Sequence, residues 1–115
     1  MGIKMNVALS LNEKVLINND YTDIYEIYVD GEYAGHIAIY TRIADFMYID
    51  ICMDKENDEV KKKALHIFEA IMRLEKIHEI YIKYDTKRRS ISLEDIGFKY
   101  MGGYLYGTLY CKNIA

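Results

Sequence analysis

The segment that most constrains the fold runs from Phe46 to Tyr84. An apolar, strand-like run at Phe46–Met53 leads into a helical pattern over 58–77, and a second strand-like run, Glu79–Tyr84, follows. Within the helical stretch Val60, Ala64, Ile67, Phe68, Ile71, Met72 and Leu74 fall on one broad stripe, with Lys61, Lys62, Glu69, Arg73 and Lys76 opposite. That spacing predicts an amphipathic helix that buries one side. Strand, helix and strand in this order predict a parallel pair joined by a right-handed crossover.

Other signals build the sheet around this unit. Tyr25–Val29 and Glu32–Tyr40 alternate on either side of Asp30-Gly31, a pair suited to a type I′ turn because both of its central residues need positive φ. Gly35 inside the second segment predicts a bulge. Two apolar bursts, Met5–Leu9 and Val15–Ile17, predict one or two strands before the hairpin. Residues 87–96 read as a short helix closed by Gly97 in a left-handed cap. Phe98–Met101, Gly102-Gly103 and Tyr104–Lys112 read as a final hairpin. The expected class is α+β: a mixed, mostly antiparallel sheet with one long crossover helix and one short helix, in a single domain over 1–115.

Composition narrows the partners. Net charge is −3, which argues against general nucleic-acid or anionic-membrane binding, where a basic surplus supplies the affinity. No apolar run reaches bilayer length, and no N-terminal segment has a signal-peptide core. Cys52 and Cys111 lack CxxC spacing, so a reducing, cytoplasmic setting is expected, with a disulfide between them left open. His36, His66 and His78 are scattered. His66 and Glu69 share a helix face, but two ligands do not make a metal site, so no metal is expected.

The order of elements, with the segments MYIDICMD (47–54), IYIKYD (80–85) and SLEDIGFKYMGG (92–103), resembles the GCN5-related N-acetyltransferase (GNAT) family over about residues 25–112. The resemblance implies an acyl-CoA cofactor and N-acyl transfer. It implies a cofactor loop between the fourth strand and the long helix, with Met53, Lys61, Lys62 and Lys63 on the cofactor side. Asp50, flanked by Asp45 and Asp54, stands near the family's general base, and Tyr104 or Tyr106 would serve as the acid. The basic spot Lys83, Lys87, Arg88 and Arg89 would lie at the end of the sheet that faces CoA.

The sequence departs from the family at several points. The stretch MDKENDEVKKKAL (53–65) has no glycine, whereas the family holds a pyrophosphate on bare backbone N–H groups there. Leu93 stands where a Tyr acid is frequent, and Thr86 is the nearest equivalent of an Asn that opens the short helix. There is no room for the two helices that usually follow the first strand. The stretch also suits a helix start that stabilises itself. Asn57 or Asp54 caps it, Asp58 and Glu59 oppose the macrodipole, and Asp58–Lys62 and Glu59–Lys63 are spaced as i,i+4 pairs. A carboxylate roughly 6 Å from a phosphate costs about 3 kcal/mol at an effective dielectric of ~20.

Aromatic residues give a third signal. Tyr104, Tyr106 and Tyr110 share one face of the last predicted strand by period two, and Tyr48 shares a face with Asp50. Exposed aromatic patches mark interaction sites, so the three tyrosines are the expected interface with a protein partner or a second copy of the chain. Cys52, which has no sequence-local His, reads as a small buried hydrophobe. The reading that follows is a non-catalytic binding or regulatory module acting through protein contacts, with no cofactor. The alternative is an acyl-CoA-dependent N-acyltransferase with an atypical, glycine-free acetyl-CoA loop.

Overall fold

A computed structural model describes residues 5–17, 20–55, 57–84, 93–104 and 107–115; within these strands the side chains at 17, 20, 21, 84 and 104 are not described. The elements are β1 (Val7–Ile17), β2 (Asp20–Val29), β3 (Glu32–Ile43), β4 (Phe46–Met53), α1 (Asp58–Leu74), β5 (Glu79–Tyr84), a 3₁₀ turn (Leu93–Ile96), β6 (Lys99–Tyr104) and β7 (Gly107–Asn113). The strands form one seven-stranded sheet in the order β1-β2-β3-β4-β5-β7-β6. The β4–β5 pair is parallel and the others are antiparallel, so the mixed α+β architecture with one crossover helix stands.

Helix α1 lies on one face of the sheet. Val60, Ala64, Leu65, Phe68 and Met72 pack against Tyr25, Ile27, Ile37, Met47, Ile49, Ile80 and Ile82. Phe68 meets the Tyr25 ring edge-on, with centroids 5.5 Å apart. The helix ends at Leu74 and does not continue to residue 77. Leu74, expected in the buried stripe, is 86% exposed, because two residues past the buried Met72 it lies about 200° around the helix, on the side away from the sheet. Lys61 and Glu69, expected on the solvent side, are each only 3% exposed. Glu69 is drawn in by cations from the helix and from β7, a contact that helical period alone does not encode.

The turns carry the backbone chemistry expected of them. Asp30 and Gly31 have φ of 51° and 86°, the positive pair a type I′ turn needs. Gly35, at φ 156°, adjoins the register shift between Ile27 and Tyr28. A Cβ there would overlap the carbonyl oxygen of Cys52. Residues 7–17 form a single strand, with a shift between Asn12 and Val15 where Lys14 takes φ 56°. β1 ends at Ile17 and β2 begins at Asp20, a spacing too short for a helix between them.

The final hairpin differs from expectation. Gly102-Gly103 lies inside β6, where Gly102 (φ 134°) relieves a shift in the pairing between Tyr100 and Gly102. β6 runs to Tyr104 and β7 begins at Gly107. Tyr104 therefore ends β6 and does not belong to the last strand. Of the expected short helix over 87–96, the described part is the 3₁₀ turn at Leu93–Ile96, and 87–92 lie outside the described residues.

Candidate functional site

The site is built on β4. The Asp54 N–H donates to the Ala34 carbonyl at 2.9 Å, in register with Cys52 opposite His36 and Asp50 opposite Ala38. Backbone groups alternate sides along an antiparallel strand. Those of Asp50 and Cys52 therefore face β3, and those of Ile49, Ile51 and Met53 face β5. The parallel ladder to β5 ends at Ile49–Ile82. Past that point the two strands part, and among the described residues no strand pairs with Ile51 or Met53 on this side.

Side chains close this gap only in part. The Ile51 N–H donates to Asp50 Oδ1 at 2.9 Å, and Cys52 Sγ donates to Asp50 Oδ2 at 3.8 Å. Beside the parting strands lies a cleft of about 610 Å³, lined among others by Tyr40, Tyr48, Asp50, Lys83, Met101 and Leu109. Tyr48 and Asp50, two residues apart, share the sheet face opposite α1. The Tyr48 ring stacks on Tyr81 at 5.0 Å, with Phe46 edge-on to both. The Tyr81 hydroxyl donates to Glu79 Oε2 at 2.9 Å; this bond holds the phenol well above the usual tyrosine range, with Cys111 and burial adding to the shift. Burial likewise pushes the Cys111 thiol up. The result is an aromatic wall with a carboxylate at its edge.

The residues singled out in the sequence are only partly brought together. Asp50 and Tyr48 line the cleft, and Lys83 stands exposed at its rim. Tyr106 and the Tyr104 side chain lie outside the described residues, as do Thr86, Lys87, Arg88 and Arg89. Tyr110 pairs with Ile82 and so lies on the α1 side of the sheet. There it packs against the core, edge-on to Tyr100 at 5.9 Å. It does not belong to a tyrosine face with Tyr48. Met53 is half-buried against the core. Lys61 is buried, Lys63 half-buried and Lys62 exposed, so the three do not act as one cationic set. Leu93 is 3% exposed and fills the core.

Asn57 caps α1, its Oδ1 accepting from the Val60 N–H at 3.2 Å. Asp54 bonds to β3 instead. Asp58 and Glu59 occupy the first turn, and the Asp58–Lys62 and Glu59–Lys63 ion pairs are not formed. Sequence reasoning missed Tyr40, Met101 and Leu109. No local signal marked them: Tyr40 sits at the register shift between Ile39 and Thr41, and Met101 and Leu109 reach the cleft through the placing of β6 and β7. It also missed His36, which stands directly opposite Cys52 on β3 and whose Nδ1 is 3.2 Å from the Tyr33 hydroxyl. Neither cysteine is in a disulfide. Among the described residues no group of His, Cys, Asp and Glu could hold a metal ion, and no helix is long and apolar enough to cross a membrane.

No family model matches the sequence, nor does any curated protein. Solved structures do match. One is a GNAT-family acetyltransferase from Staphylococcus aureus Mu50, with TM-score 0.65 and 17% identity over 82% of this chain and 68% of that one. A second is the PaiA N-acetyltransferase from Thermoplasma acidophilum in complex with coenzyme A, with TM-score 0.65 and 17% identity over 78% of this chain and 59% of that one. A third is the N-terminal domain of a ribosomal-protein-alanine acetyltransferase from Clostridium acetobutylicum, with TM-score 0.64 and 18% identity over 92% of this chain and 95% of that one. The fold is the GNAT fold.

The residues present fit an acyl-CoA unequally. At the strand end, the β5-facing backbone of Ile51 and Met53 has no strand partner among the described residues, so it can bond to an extended arm. At the helix end, no glycine lies between Met53 and Val60, and two carboxylates sit where a phosphate would seek bare N–H groups. The thioester end fits, and the diphosphate end is not built as a backbone cradle.

Proposed function

We propose that the chain is an acyl-CoA-dependent N-acyltransferase with an atypical, glycine-free cofactor loop. The observation that carries this reading is the parting of β4 from β5 beyond Ile49–Ile82, with Asp50 lining the cleft beside it. In this reading the Ile51 and Met53 backbone holds the thioester arm, and Asp50 takes the proton of the acceptor amine. Lys62 and Lys63 offset part of the Asp58 and Glu59 charge near the diphosphate. The coenzyme A complex of the Thermoplasma acidophilum neighbour supports acetyl-CoA as the donor. A reducing, cytoplasmic setting suits the two thiols.

One observation favours a second reading. Asn57, Asp58 and Glu59 already satisfy the helix start that a diphosphate would otherwise occupy, as in a binding or regulatory module without acyl transfer. Calorimetric titration with acetyl-CoA separates the two. A micromolar dissociation constant supports the acyltransferase and removes the second reading. No heat and no thermal shift at millimolar acetyl-CoA removes the first.

A further inference from the structure

The sheet has two edges, and they are built differently. At the β6 edge, Lys99 and the Gly102 bulge interrupt a flat ladder, devices that keep an edge from pairing. At the β1 edge, Asn6–Asn12 reads NVALSLN, without a charge, a proline or a glycine. The interruption comes only afterwards, at Glu13-Lys14.

The backbone of β1 shows what this edge offers. The Asp30 N–H donates to the Asn6 carbonyl at 2.8 Å, in register with the Ala8–Tyr28, Ser10–Glu26 and Asn12–Ile24 pairs. By the alternation of an antiparallel ladder, the N–H and C=O groups of Val7, Leu9 and Leu11 point away from β2. β1 is terminal in the sheet, so among the described residues these groups form a regular open row.

We infer that this row pairs with the same row of a second copy of the chain, antiparallel about a two-fold axis at Leu9. The segment is self-complementary in that register. Leu9 meets Leu9 of the second copy, and Val7 meets its Leu11, so all three outward residues of each chain exchange backbone hydrogen bonds. Leu11, 47% exposed in the single chain, gains an apolar partner on the α1 side. On the other side Ala8 meets Ser10 of the second copy, two small side chains that allow close approach. The same register brings Glu13 of the second copy to Met5. Met5, Asn6 and Val7 share a groove with Lys62, Lys63 and His66 of α1, so an acid arrives beside two lysines. A foreign strand would have no reason to match all of these at once, and the two-fold closes the assembly at two chains.

Light scattering after gel filtration at several concentrations tests this, with Ala8→Lys/Ser10→Lys as the variant. Both positions are exposed, and the paired lysines would repel across the axis. The wild type should run at twice the 13.5 kDa of one chain, and the variant as a monomer with an unchanged circular dichroism spectrum. A second variant, Ala8→Cys/Ser10→Cys, should form a covalent dimer on mild oxidation, beyond the background of the wild-type thiols, because facing residues across such a ladder lie within disulfide reach. A wild-type monomer at millimolar concentration overturns the inference. So does a dimer that survives the lysine variant, an open-ended polymer, or the absence of a cross-link.

Discussion

Lys112 Nζ lies 2.9 and 3.1 Å from the two carboxylate oxygens of Glu69, which ties the last strand to the middle of the helix. The same ammonium donates to the Ile96 carbonyl at 2.7 Å, and Arg73 reaches Glu69 at 3.5 Å. One cation thus joins α1, the 3₁₀ turn and β7. With Lys112→Ala, Glu69 is left buried with only Arg73 beside it, and stability should fall by about 3 kcal/mol in urea denaturation. The double variant Glu69→Gln/Lys112→Met should lose less than the single one, because no unpaired charge remains.

Asp50→Asn keeps an acceptor for the Ile51 N–H but removes the base. In the acyltransferase reading, turnover of an amine with acetyl-CoA should fall by about 10²–10⁴. Binding of acetyl-CoA, read by calorimetry, should change little. An unchanged rate would remove Asp50 from the chemistry.

The helix start makes opposing demands on charge. Asn57→Ala should cost about 1 kcal/mol through the lost cap. Asp58→Gly/Glu59→Gly should cost helix stability at about 1 kcal/mol per glycine, yet tighten acetyl-CoA binding at least tenfold by removing two carboxylates and freeing backbone. Thermal melts and titrations of the same samples separate the two effects. Weaker binding in the glycine variant would show that the carboxylates do not oppose the diphosphate.

Tyr81 gives a pH signature. Its hydrogen bond to Glu79 raises its folded pKa, while the unfolded chain titrates near 10. The stabilising contribution is therefore complete below about pH 10, and it declines as pH rises further, because the unfolded chain releases the proton first. Tyr81→Phe should be less stable by about 1 kcal/mol at pH 8 and should show a shallower decline between about pH 10 and 11. Denaturation curves across that range provide the check.

Gly35→Ala should cost about 3 kcal/mol, because the new methyl would overlap the Cys52 carbonyl and the backbone carries φ 156°. Gly31→Ala meets open space and should cost less, from its positive φ alone. The difference between the two melting temperatures measures the steric part.

The chain's local rules were legible without tertiary structure. The Asp30-Gly31 hairpin, the β4–α1–β5 unit and the Asn57 cap each depend on neighbours within a few residues, where φ preference and hydrophobic period act directly. The final hairpin misled because two glycines imitate a turn. Inside a strand they serve a shift in pairing, which only the partner β7 reveals. The side of the sheet on which Tyr110 lies is hidden for a related reason: parity along a strand says which residues share a face, not which face meets the helix.

By itself, then, the sequence determined where strands and helix form and how the tight turns close, because those choices are decided by short-range sterics and burial period. Only the tertiary structure decided that β7 inserts between β5 and β6 and that β4 and β5 part beyond Ile49–Ile82. It alone brought Glu69 and Lys112, far apart in the chain, into one buried pair. Strand order and register depend on contacts between distant segments, whose energies no local window contains.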